Sequence, residues 1–166
     1  DAYLKQAPNS PQNPTVKKGL AIMKQGLAAP AGVDPKSHLA QLPENATDAQ
    51  KQKATALDNF ERVSPQESLG QLENAIKQHG TDPELATALG RTLVRLNEVE
   101  KAQQVFAQAT QAFPQHMPAW HYQGMAFLLG GMPEKAVGSW KHVLTQDPKY
   151  AARFKLERRI EVAERM

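Results

Sequence analysis

The sequence predicts an all-α fold: a solenoid of helical hairpins with an N-terminal helical cap and a C-terminal capping helix. Two observations predict it. Residues 117–150, MPAWHYQGMAFLLGGMPEKAVGSWKHVLTQDPKY, read as two antiparallel helices joined by a tight turn. Counted from Met117 as position 1, Trp120 falls at 4, Gly124 at 8, Phe127 at 11, Ala136 at 20, Trp140 at 24 and Pro148 at 32. The second observation lies 34 residues earlier, where residues 83–116 keep the phase. There Ala86 stands at 4, Leu89 at 7, Gly90 at 8, Leu93 at 11, Ala102 at 20, Phe106 at 24, Ala109 at 27 and Pro114 at 32.

The spacing has a steric reason. Gly124 and Ala136 carry little or no side chain, so two helices approach closely, and Trp120, Phe127 and Trp140 fill the space around them. Pro148 stops the second helix because it lacks an N–H and its ring clashes with the preceding turn. Gly130-Gly131 supplies the turn, and Pro133 suits the first position of the second helix.

Composition bounds the rest. The 166 residues suffice for one domain, and no run of 18 apolar residues could span a membrane. The chain opens on Asp1 rather than Met, which suggests a processed or truncated chain that a signal or anchor segment could have preceded. There is no cysteine, so disulfides, thiolate chemistry and Cys-based metal sites are excluded. Residues 1–63 carry 8 basic and 6 acidic groups, residues 64–150 carry 7 and 8, and residues 151–166 carry 5 and 3. The repeats are close to neutral and lack the clustered Lys/Arg with interleaved aromatics that nucleic-acid backbones require.

In chain order, residues 1–46 read as an extended Pro-rich strap, a short helix and a loop. Pro8, Pro11 and Pro14 favour a polyproline-like strap that Tyr3 and Leu4 could pin, or a flexible tail. Val16, Leu20, Met23 and Leu27 predict the short helix over 15–28, and residues 29–45 a loop with Leu39 and Leu42 as candidate anchors.

Residues 47–166 form the repeat domain, with a degenerate repeat or cap at 47–80, repeats at 83–116 and 117–150 and a capping helix at 151–166. Thr47 and Gln50 have capping-box spacing before a helix that ends near Phe60. Ser64-Pro65-Gln66-Glu67 opens the next helix, with Ser as cap and Glu reaching back, and Gly80 ends it. Ser68, Leu72 and Ala75 keep the repeat phase there, while Gln52, Thr55 and Asn59 replace large apolar residues in the helix before it. Asp82-Pro83 caps and opens the first good repeat. Ala152, Leu156, Ile160 and Ala163 predict one final amphipathic helix from about Lys149 to Arg165, covering the last repeat.

The repeat residues resemble the tetratricopeptide (TPR) family. Four stretches, YLKQAPNSPQNP, LGQLENAIKQHGTDPE, TALGRTLVRLNEVEKAQQVFAQA and PAWHYQGMAFLLGGMPEKAVGSWKHVL, are further similar to the periplasmic repeat domains of cytochrome c maturation, the CcmI/NrfG type of the haem lyase system. In those domains a Trp at position 24 is characteristic, and Trp140 stands there. The resemblance implies a periplasmic chaperone, membrane-anchored through a segment outside this chain, whose partners are the C-terminal peptide of an apocytochrome c and the haem lyase subunits. A general scaffold subunit of another assembly is the alternative.

In such repeats positions 2, 5, 9, 12 and 13 face a concave groove. Here those are Glu84, Thr87, Arg91, Val94 and Arg95, then Pro118, His121, Met125, Leu128 and Leu129. The resemblance thus implies a peptide groove of Thr87, Arg91, Val94, Arg95, His121, Met125, Leu128 and Leu129, cationic at one side and apolar at the other. It would suit an amphipathic helix ending in a carboxylate that meets Arg91 or Arg95. Two plainer readings stay open: the arginines as solvated surface, and Leu128 and Leu129 as packing under the capping helix. The Lys/Asn carboxylate clamp of cytosolic co-chaperones is missing at these positions. His121 and Met125, four apart, could be an axial haem pair, but there is no CxxCH and no third ligand converges. With no catalytic constellation in the sequence, neither enzyme activity nor a metal or cofactor is expected.

Overall fold

The computed structural model describes residues 37–166, so the readings of the strap, the short helix and the first part of the loop lie outside the described residues. The described residues form eight α-helices and no strand: α1 Asp48–Asn59, α2 Pro65–His79, α3 Pro83–Arg95, α4 Val99–Ala112, α5 Met117–Leu129, α6 Pro133–Gln146, α7 Pro148–Arg153 and α8 Leu156–Glu164. They fall into two compact units, residues 37–114 and residues 115–166.

In the first unit a 3-10 turn, Leu39–Gln41, precedes α1. Asp58 of α1 holds it. Its carboxylate accepts from Ser37 Oγ at 2.6 Å, from the His38 amide and ring Nδ1 at 2.8 Å and from the Leu39 amide at 3.1 Å. Burial works against this carboxylate, but the hydrogen bonds outweigh it and keep Asp58 well below the usual carboxylate range. Leu39 is therefore anchored by its backbone, while its side chain, 44% exposed, is no apolar anchor.

Thr47 and Gln50 make the full capping box, with bonds of 3.2 and 2.8 Å. Ser64 caps α2 through the Glu67 amide at 3.2 Å, but the expected return bond is replaced: Glu67 Oε1 accepts from Gln71 Nε2, one turn on, at 3.2 Å. Gly80 ends α2 with φ 85°. Asp82 caps α3 by accepting from the Leu85 amide at 2.9 Å, and it pairs with Lys53 of α1, which also reaches Glu84 at 3.4 Å. The core beneath is Ala56, Leu57, Leu72, Ala75, Leu85 and Ala88, edged by Phe60, Ile76 and Leu89. One polar pair crosses it, Ser68 Oγ with Thr92 Oγ1 at 3.0 Å.

The two hairpins share their packing device. A Cβ added to Gly90 would lie 2.5 Å from the Phe106 ring, and one on Gly124 would collide with the Trp140 indole. Phe106 and Trp140 are fully buried. Trp140 also donates from Nε1 to the His121 carbonyl at 3.0 Å, so the contact fixes the ring's orientation as well as its depth. Beside it Ser139 Oγ donates to Gln123 Oε1 at 3.0 Å. Trp120, by contrast, is half-buried and stacks on His142, centroids 4.1 Å apart.

The turns repeat as well. Gly131 (φ 76°) closes α5 with Gly131 N–H to Leu128 O at 3.0 Å and Met132 N–H to Phe127 O at 2.9 Å. In the first hairpin Asn97 (φ 62°) does the same, with Asn97 N–H to Val94 O at 3.0 Å and Glu98 N–H to Leu93 O at 2.9 Å.

The C-terminal helix expected from Lys149 to Arg165 is broken in two. Lys155 sits in the left-handed region (φ 53°) between α7 and α8. The break shifts the register: Ala151, not Ala152, is buried ahead of it, and Leu156, Ile160 and Ala163 are buried after it. It also directs Phe154 onto His121, 4.9 Å between ring centroids.

Candidate peptide-binding site

The sequence-predicted groove residues divide between the two units. In the first, Thr87 is buried and donates to Pro83 O at 2.7 Å. Arg91 pairs with Glu61 and lies over the Phe60 ring, 4.7 Å from its centroid. Arg95 donates to Phe60 O and, at 3.1 Å, to Val63 O. Val94 is half-buried. The two arginines thus lace the α1–α2 connection onto α3, Arg91 through the Glu61 carboxylate and Arg95 through the Phe60 and Val63 carbonyls.

In the second unit, His121 and Met125 are fully buried, Leu128 is 2% exposed and Leu129 is half-buried. The His121 ring lies among Tyr122, Tyr150 and Phe154, with Nδ1 3.2 Å from Tyr150 Oη. Met125 Sδ accepts from Arg159 Nη1 at 3.0 Å. The expectation that these side chains line an open apolar surface is corrected: α7 and α8 cover His121 and Met125. The sequence of α5 carries the reason. It holds no Asp, Glu, Lys or Arg in thirteen residues, and nine of the thirteen are buried. The same contacts occupy the His121/Met125 pair that could have served a haem. Among the described residues no group of three or more His, Cys, Asp or Glu could hold a metal ion.

A different surface of the first unit is open and apolar. A cleft of about 380 Å³ is lined by Ile76 and Thr81 at the end of α2, Ala86 and Leu89 of α3, and Val105, Gln108, Ala109, Ala112 and Phe113 at α4. It contains no charged side chain. The hairpins differ here at the two positions that form a stacked pair in the second. Position 4 is Trp120 in the second, stacked on His142; in the first, the corresponding residues are Ala86 and Gln108. Where the second hairpin fills the gap with an indole, the first leaves it open. The Ala86/Trp120 contrast is present in the sequence, at a position where both residues keep the repeat's phase.

Arg159 of α8 is also short of strong partners. It is half-buried, and its hydrogen bonds go to neutral acceptors: Phe154 O at 3.3 Å from Nε and Met125 Sδ at 3.0 Å from Nη1. Burial lowers its pKa, opposed by the phenols of Tyr122 and Tyr150.

Residues 60–123 match the family model of the tetratricopeptide repeat. No curated protein matches the chain. Among solved structures, one crystal form of MamA AMB-1 is similar with a TM-score of 0.60 and 19% identity, over 92% of this chain and 88% of that one. A second form gives 0.57 and 18%, over 90% and 84%. MamA MSR-1 gives 0.53 and 16%, over 90% and 92%. At these identities the likeness concerns the fold, which is that of tetratricopeptide helical hairpins.

Proposed function

We propose that this chain is a periplasmic peptide-binding module of cytochrome c maturation, which holds the C-terminal helix of an apocytochrome c while haem lyase subunits attach the haem. It acts by binding alone. The tetratricopeptide fold supports the coarser part, since such repeats serve protein–protein interaction. The four stretches similar to haem-lyase repeat domains support the assignment to cytochromes.

The observation that carries the binding reading is the uncharged cleft at Ala86. An amphipathic helix presents apolar side chains one turn apart, and a cleft of about 380 Å³ walled by Ile76, Leu89, Val105 and Phe113 accepts one or two of them. So small a contact gives modest, reversible affinity, as delivery to a lyase requires.

The experiment is a fluorescence-anisotropy titration with a labelled C-terminal apocytochrome c peptide. Ala86→Trp fills the cleft with the residue the second hairpin uses, and is expected to weaken binding at least roughly tenfold, the loss of one well-buried apolar side chain. Retained helicity and melting temperature would show that the fold is intact. Absence of peptide binding, or equal affinity in Ala86→Trp, sinks the reading. Equal binding of unrelated amphipathic helices would leave a general scaffold and remove the cytochrome assignment.

A further inference from the structure

We propose that Arg159 is a carboxylate receptor, the half-buried guanidinium at the α7–α8 elbow that takes the negatively charged end of an incoming peptide. The proposal deepens the peptide-binding reading and rests on it for the source of the carboxylate. Three observations carry it.

The first is the missing counter-charge. Among the described residues, partly buried cations elsewhere are paired: Lys53 with Asp82 and Glu84, Arg91 with Glu61. No carboxylate pairs with Arg159 among the described residues. A partly desolvated charge whose hydrogen bonds go to a carbonyl and a thioether, with two phenols as its other electrostatic partners, lacks a full counter-charge, which an arriving anion supplies.

The second is unused donor capacity. A guanidinium has five N–H donors. Arg159 directs one to Phe154 O at 3.3 Å, a long bond, and one to Met125 Sδ, a weak acceptor. These contacts fix the plane of the group and leave donors for the forked geometry a carboxylate accepts.

The third is the surrounding charge. Residues 148–159 hold Lys149, Arg153, Lys155, Arg158 and Arg159 against Glu157 alone. Lys149, Arg153, Lys155 and Arg158 are exposed, and none is in an ion pair among the described residues. They draw an anion toward the elbow, where Arg159 binds it away from bulk water. Arg91 and Arg95, the groove arginines expected from sequence, are already committed to Glu61 and to backbone carbonyls.

The test follows the Arg159 Nε–H resonance in ¹⁵N-labelled protein, assigned by triple-resonance spectra and checked by its loss in Arg159→Met. N-acetyl-leucine should shift it saturably, and N-acetyl-leucinamide should not. The apocytochrome peptide as free acid should bind roughly tenfold more tightly than its C-terminal amide, the usual worth of a charge-assisted hydrogen bond, and Arg159→Met should erase that difference. If the amidated peptide shifts the resonance as far as the free acid does, the terminal carboxylate is not the ligand and the proposal fails. A response to N-acetyl-leucine without peptide binding keeps the carboxylate site and overturns the peptide reading. Peptide binding with no acid–amide difference, and no response to N-acetyl-leucine, overturns the carboxylate site and keeps the peptide reading. The small-molecule comparison uses the unaltered protein, so misfolding of a variant cannot obscure it.

Discussion

Gly124 and Trp140 show how one missing methyl determines a hairpin. The indole occupies the place where a Cβ would stand, and its Nε1 reaches the His121 carbonyl at 3.0 Å. Gly124→Ala is therefore expected to destabilise the protein by about 1–3 kcal/mol, the usual range for overpacking a core, with urea denaturation as the measurement. A change below the low end of that range would mean that the indole can move aside, contrary to its fixed hydrogen bond. Arg91 and Arg95 show the opposite lesson about single residues. Their positions in the repeat were legible, but their partners were not, because Glu61, Phe60 O and Val63 O lie thirty or more residues away in the chain. Local periodicity places a side chain on a helix face. It does not say which distant group will claim it.

Helices and their ends were the most legible scale. Capping residues act within three positions of themselves, so Thr47, Ser64 and Asp82 announce the starts of α1, α2 and α3 without knowledge of the fold. The miss was α7–α8, where the stripe Ala152, Leu156, Ile160, Ala163 looks continuous. No glycine or proline marks the break, since Lys155 itself takes the left-handed conformation. Tertiary contacts, Phe154 against His121 and Leu156 in the core, impose it. A non-glycine residue held this way loses about 1 kcal/mol, so Lys155→Gly should stabilise the protein by that amount in thermal unfolding. If the elbow is unstrained, Lys155→Gly will instead be neutral or destabilising through added backbone freedom.

At the scale of the whole molecule, the repeat period conveyed the architecture, and departures from it conveyed the surface. The 34-residue phase aligns Gly90 with Gly124 and Phe106 with Trp140, which is why the hairpins could be recognised. The open cleft arises where the phase is kept but the residue is not, at Ala86 against Trp120. The uncompensated Arg159 lies beyond the last repeat, where no period applies. The turn at Asn97 carries one more consequence, a chemical one. Asparagine ages by deamidation when the next backbone nitrogen attacks its side-chain carbonyl to close a succinimide. In this protein that nitrogen belongs to Glu98 and is tied to Leu93 O at 2.9 Å. The folded hairpin therefore protects Asn97, and the lesion can form only while the turn is open. Intact-mass and peptide spectrometry on aged samples should show Asn97 preserved under native conditions and converted in urea. Its slow conversion becomes a clock that counts the time the chain has spent unfolded.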